Sequence, residues 1–212
     1  MSEPARNILI VGVGGQGILL ASRLLASAAI EAGFDVKISE VHGMAQRGGS
    51  VVTHVRLGAR VHSPLVETGT ADVMVAFEKL EALRWLPFAR PGATLIVNDV
   101  EIPPLPVILG AERYPVDIAS RLAAGGRCVV VVDAETMARA AGNARCANTA
   151  IMGVLARRLG PEIAEERWRA AVSHVAPRGT ADVNWKAFSL GYTYTSQKQT
   201  TYEGASSDVL RQ

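Results

Sequence analysis

The sequence predicts an α/β fold, in which a mainly parallel sheet carries helices on both faces and the C-terminal portion is helical. Short apolar runs end at glycines or polar loops, which is typical of buried strands. Between these runs, apolar residues recur at helical spacing, and late in the chain helical patterns follow one another directly. Hydrophobic residues make up 49% of the chain and aromatics only 5%. The predicted core is therefore built largely from Val, Ile, Leu, Ala and Met.

The chain begins with a strand–helix–strand unit of the Rossmann type. Residues 7–11 predict a buried strand that ends at glycine, and residues 18–32 predict a helix that stops at Gly33. Residues 35–41 alternate and predict a second strand. Such a unit implies a parallel sheet with right-handed crossovers.

The middle of the chain supplies the remaining strands. Strands are predicted at residues 50–57, 72–77, 93–97 and 127–132, with residues 60–63 pairing back as a hairpin and a helix at 78–85. The β-branched run at 127–132 suits a central strand buried on both faces. Prolines in residues 100–115 indicate an extended connection within one domain. Helices are predicted at 135–141, 149–159, 161–174 and 182–190. We expect a single domain over residues 1–192 and a polar tail, disordered or docking, over 193–212.

Charge and composition exclude several classes of function. The net charge of +2 argues against a chain-wide role in binding nucleic acid or a membrane surface. The apolar runs are shorter than the roughly 18 to 20 residues that span a bilayer, and the N-terminus has no cleavable-signal pattern. We therefore expect a cytoplasmic protein. Its two cysteines, Cys128 and Cys146, are predicted to be small buried hydrophobes.

A first glycine motif connects the first strand to the first helix. It consists of Gly12, Gly14, Gly15, Gln16 and Gly17 in the order G-x-G-x-x-G. Its glycines allow close approach of a ligand, and the N–H groups at the helix start favour an anion such as a phosphate.

Two other interpretations of this motif stay open. Glu40, at the end of the second predicted strand, is placed as the acid of an NAD or FAD site would be. Alternatively, the glycines serve only tight packing between strand and helix.

A second glycine loop follows the second strand, where an ordinary dinucleotide domain would begin a helix. Its candidate binding residues are His42, Gly43, Met44, Arg47, Gly48 and Gly49. The guanidinium of Arg47 can hold a carboxylate or phosphate through two parallel hydrogen bonds. The alternative is a mobile surface turn with a solvated arginine.

Other polar and aromatic residues are given structural roles. His54 and His62 are interpreted as ordinary strand residues. Trp168 and Trp185 are interpreted as core or interface anchors. The acidic pairs are interpreted as solvated helix faces, namely Glu78 with Glu81 and Glu165 with Glu166.

Three segments together resemble the gamma-type subunits of 2-oxoacid:ferredoxin oxidoreductases. They are GVGGQGILLASRLLASAAIEAG, SEVHGMAQRGGSVVTHVRLG and HSPLVETGTADVMVAFEKLEALR. The form VHGMAQRGG is similar to the small subunits of indolepyruvate oxidoreductases. The later pieces NTAIMGVLARRLG and VNWKAFSLGY also resemble the family, so the resemblance covers roughly residues 7–192.

The resemblance implies a subunit that is inactive alone and contributes no catalytic residue or metal ligand. The family decarboxylates a 2-oxoacid, such as an aryl pyruvate, on thiamine diphosphate. Electrons pass through [4Fe–4S] clusters to ferredoxin, and the acyl group leaves on coenzyme A. The large partner subunit is expected to carry thiamine diphosphate, Mg²⁺ and the clusters. The two glycine loops would help to shape the substrate or coenzyme A channel.

Two alternatives from other classes of protein also remain. One is a free-standing Rossmann oxidoreductase that binds NAD(P) or FAD. The other is a non-catalytic assembly module whose glycine loops only pack against a partner.

Overall fold

A computed structural model describes residues 5–42 and 49–195, and these residues form one mixed sheet of six strands. The sheet order is β2-β3-β1-β4-β5-β6. The third strand in the sequence, β3, is antiparallel to both of its neighbours in the sheet, whereas β1, β4, β5 and β6 pair in parallel. The strands are β1 (Arg6–Val13), β2 (Asp35–His42), β3 (Ser50–Gly58), β4 (Ala71–Ala76), β5 (Ala89–Asn98) and β6 (Cys128–Val132).

Helices cover both faces of this sheet, and several follow one another after β6. One face carries α1 and α5 to α8, and the other carries α2 and α4. The predicted fold class is therefore confirmed. The helices are α1 (Ile18–Glu31), α2 (Lys79–Arg84), α3 (Leu105–Ile108), α4 (Ile118–Ala123), α5 (Ala134–Ala141), α6 (Ala147–Leu159), α7 (Glu165–Val175) and α8 (Ala181–Tyr192).

Two helices of the C-terminal portion cross at glycines. A Cβ atom at Gly191 of α8 would overlap the Ala150 carbonyl oxygen of α6, and one at Gly153 would overlap the Phe188 carbonyl oxygen. The missing side chains let the two backbones touch, so these helices pack closely. Trp168 of α7 is buried beside them, which confirms it as a core residue.

The predicted hairpin after β3 was wrong, because residues 60–63 form no strand in the described structure. The strand β3 lies between β1 and β2 and is antiparallel to each, so β1 and β2 run parallel to one another, as their strand–helix–strand unit predicts. Since β3 has a partner on each side, no free edge is left for a returning strand. Instead, the Val61 N–H donates to Asp35 Oδ2 at 2.8 Å.

The predicted central position of the strand at 127–132 was also wrong. The strand β6 lies at the end of the sheet, paired only with β5. Its apolar character instead reflects burial on both faces, because Val130 and Val129 belong to the cores on opposite sides of the sheet. The Tyr194 hydroxyl donates to the Val131 carbonyl at 2.9 Å and covers part of this strand.

The remaining regions bear on the other sequence predictions. The proline-containing connection holds the short helix α3, and the predicted tail from residue 196 onward lies outside the described residues. Cys146 is buried, as predicted, whereas Cys128 is half-buried. None of the helices in the described ranges has the length and apolar character that crossing a bilayer requires.

Candidate functional site

The first glycine motif forms a tight turn between β1 and α1. Gly17 precedes α1 with a φ of 82°, a left-handed conformation that favours glycine. The side chain of Gln16 fastens this turn: its Oε1 accepts from the Val13 N–H at 2.7 Å, and its Nε2 donates to the Phe77 carbonyl at 3.0 Å. The side chain of Gln16 thus holds the turn against the end of β4.

A cavity of about 430 Å³ opens beside this turn. It lies at the carboxyl ends of β1, β4 and β5, since Phe77 follows β4 and Asn98 ends β5. From β1 the chain continues to β2, toward one edge of the sheet, whereas from β4 it continues to β5, toward the opposite edge. Ligands of open α/β sheets bind at such a switch point. The wall is completed by residues at the starts of α5 and α6, namely Glu135, Ala144, Arg145, Ala147 and Asn148.

Asn148 is a buried polar residue on this wall, at 9% relative exposure. Its Oδ1 accepts from the Thr149 backbone N–H at 2.8 Å and from the Thr149 hydroxyl at 3.3 Å, which fixes the orientation of the amide. Its Nδ2 therefore points the other way, against Gly17, and a Cβ at Gly17 would overlap it. In the described part of the chain, this Nδ2 has no hydrogen-bond acceptor.

The second glycine loop meets the first through its last residue. The Gly14 N–H donates to the Gly49 carbonyl at 2.9 Å, so the end of the second loop contacts the first loop. Gly43, Met44, Arg47 and Gly48 lie outside the described residues, as does the side chain of His42. Their binding roles stay predictions.

The strand that leaves the second loop is anchored by a buried acid. The Ser50 hydroxyl donates to Glu81 Oε2, and the indole Nε1 of Trp85 donates to Ser50 Oγ at 3.2 Å. Arg84 Nη1 lies 2.5 Å from the other oxygen of Glu81. Glu81 is only 1% exposed. Its interpretation as part of a solvated helix face was therefore wrong.

Glu78 is also 1% exposed, so its predicted solvation was wrong as well. It caps α2 by accepting from the Glu81 N–H at 2.8 Å. Its other oxygen accepts from the Ile102 N–H at 3.1 Å and from the Tyr114 hydroxyl at 2.5 Å. Burial, together with this bond to Glu78, raises the pKa of Tyr114. Glu165 and Glu166 are exposed, as predicted.

The dinucleotide interpretation is disfavoured by the position of Glu40. In a dinucleotide domain, this acid ends a strand beside the glycine-loop strand and faces the ribose. Here β3 separates β2 from β1, and Glu40 accepts from the Ser22 hydroxyl of α1 at 3.3 Å. The glycine turn and the acid are thus set apart by one strand.

The residues of the chain do not fit an iron–sulfur cluster. A [4Fe–4S] cluster is generally held by four thiolates, and the sequence has two cysteines. Burial raises the pKa of the Cys146 thiol, which opposes the thiolate form that a metal requires. Across residues 5–42 and 49–195, no group of three or more His, Cys, Asp or Glu is placed to hold a metal ion.

Known proteins resemble the chain over nearly this whole described region. Residues 7–194 match the family described as pyruvate ferredoxin/flavodoxin oxidoreductase. The chain belongs to this family. It is 41% identical over 189 residues to indolepyruvate oxidoreductase subunit IorB of Thermococcus kodakarensis, covering 87% of this chain and 93% of the relative. The IorB of Pyrococcus horikoshii is 40% identical, with the same coverage.

A solved structure shares the fold. The gamma subunit of a keto/oxoacid ferredoxin oxidoreductase from Geobacter sulfurreducens superposes with a TM-score of 0.66 at 23% identity, covering 88% of this chain and 96% of that one. The predicted family resemblance and the prediction of an oxidoreductase subunit are thus confirmed. Membership in a family of multi-subunit enzymes implies a larger partner subunit.

Sequence reasoning missed the residues that close the cavity opposite the glycine turn. Arg145 and Asn148 lie far along the chain from Gly17, and Asn98 lies at the end of β5. In the sequence, the segment that begins NTAIMG indicates only a family resemblance. Its first residue, Asn148, lies in the first turn of α6 against Gly17, and only the fold reveals this position.

Proposed function

We propose that the chain is the small subunit of an indolepyruvate, or aryl pyruvate, ferredoxin oxidoreductase. It supports oxidative decarboxylation of the 2-oxoacid to an acyl-coenzyme A, in a complex whose large subunit carries thiamine diphosphate, Mg²⁺ and [4Fe–4S] clusters. The observation that carries this proposal is the 41% identity to an indolepyruvate oxidoreductase subunit along 93% of its length. The shortage of thiolates in this chain supports placing the clusters in the partner. Ferredoxin as electron acceptor and a cytoplasmic location complete the proposal.

The two glycine loops are proposed to line the substrate or coenzyme A channel of that complex. Their support is the hydrogen bond between Gly14 and Gly49, which places the last residue of the second loop against the first loop at the carboxyl edge of the sheet. The proposed set is completed by Gly12, Gly15, Gln16, Gly17, His42, Gly43, Met44, Arg47 and Gly48. Gln16 also holds the turn in place through two hydrogen bonds of its side chain.

The large subunit is proposed to cover an apolar face on the connection between β5 and α4. There, Leu105, Ile108 and Leu109 share one side of α3 and are 65 to 72% exposed, and Val116 is fully exposed. Large aliphatic side chains in such a cluster mark an interaction surface. This exposure is what a subunit that completes a complex would present when it is alone.

The proposal is tested by assaying the subunits separately and together. The 212-residue chain alone should not turn over indolepyruvate with coenzyme A and an artificial electron acceptor, whereas the complex with its large subunit should. Turnover by the chain alone would contradict the accessory role. A complex that assembles with full cofactor content but accepts no 2-oxoacid would contradict the proposed reaction.

Arg47 provides the test of the second glycine loop. Replacing it with Ala removes a charge-assisted contact to an anion, and such contacts contribute about 1.5–3 kcal/mol. That loss corresponds to roughly 10- to 150-fold in kcat/KM for the acid or for coenzyme A. Arg47→Lys should restore only part of it, because an ammonium cannot make the planar two-pronged contact. Unchanged kinetics in a normally assembled complex would remove the loop from the proposed channel, and failed assembly would favour the assembly-module alternative.

A further inference from the structure

A second cavity, of about 340 Å³, lies on the face of the sheet that carries α2 and α4, away from the glycine turn. Much of its wall is aliphatic and comes from β5, β6 and α4, namely Val97, Ile118, Leu122, Val129 and Val131. We propose that residues 103–113 form a lid that closes on this cavity, and that closure competes with binding of the large subunit. The closure stands on the geometry of this chain, whereas the competition rests on the proposed function.

The lid is attached beside the cavity at both of its ends. Glu101, just before the lid, and Tyr114, just after it, both line the cavity. One oxygen of Glu78 holds the two ends together, because Oε1 accepts from the Ile102 N–H at 3.1 Å and from the Tyr114 hydroxyl at 2.5 Å. Between these ends, none of the four residues of α3 is buried. The lid is therefore fixed at its ends, while little packing restrains its middle.

The lid carries aliphatic side chains that are exposed to water in the structure. Leu105 and Leu109 lie about one helical turn apart and are 65% and 72% exposed. Neither lines the cavity, so the structure has the lid open. Leu109 is five residues before Tyr114, and five residues span at most about 16–18 Å, which puts its side chain within reach of the cavity. Closure removes apolar surface of the lid and of the cavity wall from water together, which the hydrophobic effect favours.

The polar groups at the cavity favour an apolar occupant. Lys79 lines the cavity, and its Nζ is paired with Glu101 at 3.0 Å and with Asp99 at 2.5 Å. The Tyr114 hydroxyl is bonded to Glu78. A leucine that enters the cavity leaves these pairs intact, whereas a polar ligand would have to compete with them. The side chain of a lid leucine therefore fits this cavity.

Closure hides side chains that the large subunit is proposed to cover. Leu105 and Leu109 belong to the apolar face, together with Ile108 and Val116. A leucine inside the cavity cannot contact the partner, so the partner binds the open lid. The fraction of chains with a closed lid then lowers the apparent affinity of the large subunit. The lid thus shields part of the apolar face until the partner binds.

Disulfide trapping tests closure in the full 212-residue chain, with Cys128 replaced by Ser. Ala119 is exposed and lines the cavity. A disulfide holds its two Cβ atoms within about 4.5 Å, so a bridge from Leu109→Cys to Ala119→Cys requires the lid to lie against the cavity wall. The pair Leu105→Cys and Ala119→Cys repeats the measurement with Leu109 intact. All of these changes except Cys128→Ser are at exposed positions, so the variants should fold.

The matched control moves the second cysteine by one residue. Ser120 follows Ala119 in α4, is exposed and does not line the cavity. Under mild oxidation, at least one pair with Ala119→Cys should bridge about tenfold faster than the same lid cysteine paired with Ser120→Cys, whose thiol faces away from the wall. Rates equal to those of the controls, or no bridge in either pair, would overturn the proposal.

Binding of the trapped chain to the large subunit tests the competition. The bridged chain should bind at least about tenfold more weakly, and reduction of the disulfide should restore its affinity. An affinity that the bridge leaves unchanged would refute the competition while closure of the lid stands. A reduced chain that assembles into a complex unable to oxidise any 2-oxoacid would sink the proposed function and keep the lid.

Discussion

Replacing Glu78 with Gln tests whether one buried carboxylate holds the apolar face in position. Glu78 is 1% exposed and accepts three hydrogen bonds, from the N–H groups of Glu81 and Ile102 and from the Tyr114 hydroxyl. Ile102 and Tyr114 flank α3, which carries Leu105 and Ile108 of the apolar face. Gln offers a single acceptor oxygen, so its amide NH₂ must face either the Glu81 N–H or the Ile102 N–H.

The expected loss of stability follows from the one acceptor oxygen that Gln lacks. A buried N–H left without an acceptor costs about 1–3 kcal/mol. For a chain of this length, about 2 kcal/mol lowers the melting temperature by roughly 4–8 °C. If the amide turns toward Ile102, the connection between β5 and α4 should also open more often, because one of its two bonds to Glu78 is lost.

Urea denaturation and hydrogen exchange measure the two effects separately. Glu78→Gln should lower the urea midpoint and speed exchange of the Ile102 amide. Glu166→Gln makes the same chemical change on an exposed site of α7 and should do neither. An unchanged midpoint together with unchanged exchange at Ile102 would refute the reasoning that Glu78 stabilises this connection.

Three further outcomes follow from the structure. Ile108→Ser should leave the stability of the free chain within about 0.5 kcal/mol but weaken its measured affinity for the large subunit, because Ile108 is 68% exposed. Burial lowers the pKa of His54, whose neutral Nδ1 accepts from the Val66 N–H at 3.2 Å. The preference of the fold for neutral His54 therefore contributes stability above about pH 6.5, and this contribution is lost as the pH falls through the lowered pKa. His54→Asn should thus reduce the acid sensitivity of the urea midpoint. Gly191→Ala should destabilise the chain by about 1–3 kcal/mol in the same assay, because its Cβ would overlap the Ala150 carbonyl.

Local sequence patterns predicted the positions of the strands along the chain well, but they predicted the place of a strand within the sheet poorly. Every strand that the sequence indicated is present except the short return at residues 60–63. The order of the strands depends on which edges remain free, and hydrophobic alternation does not encode this. The strand β3, for example, pairs with both β1 and β2 and lies between them, although it follows both in the sequence. Likewise, β6 is apolar because helices cover both of its faces, although it lies at the end of the sheet.

The buried acids show a second limit of sequence reasoning. Glu78 and Glu81 are three residues apart in a polar-looking helix, a pattern typical of a solvated face. Their partners come from distant positions, with Ser50 contacting Glu81, and Ile102 and Tyr114 contacting Glu78. Because no local signal announces such partners, the burial of both acids could not be inferred from the chain alone.

The candidate site and the apolar face are attached to the sheet at two consecutive residues. The Phe77 carbonyl accepts from Gln16 of the glycine turn and, at 3.4 Å, from Asn98 at the cavity. The next residue, Glu78, holds both sides of the connection that carries the apolar face. The carboxyl end of β4 therefore supports both the cavity beside the glycine turn and the apolar face. Taken alone, the glycine motif predicts one loop and one ligand. In the fold, that loop and the apolar face, which is the proposed partner surface, are both attached at the carboxyl end of β4.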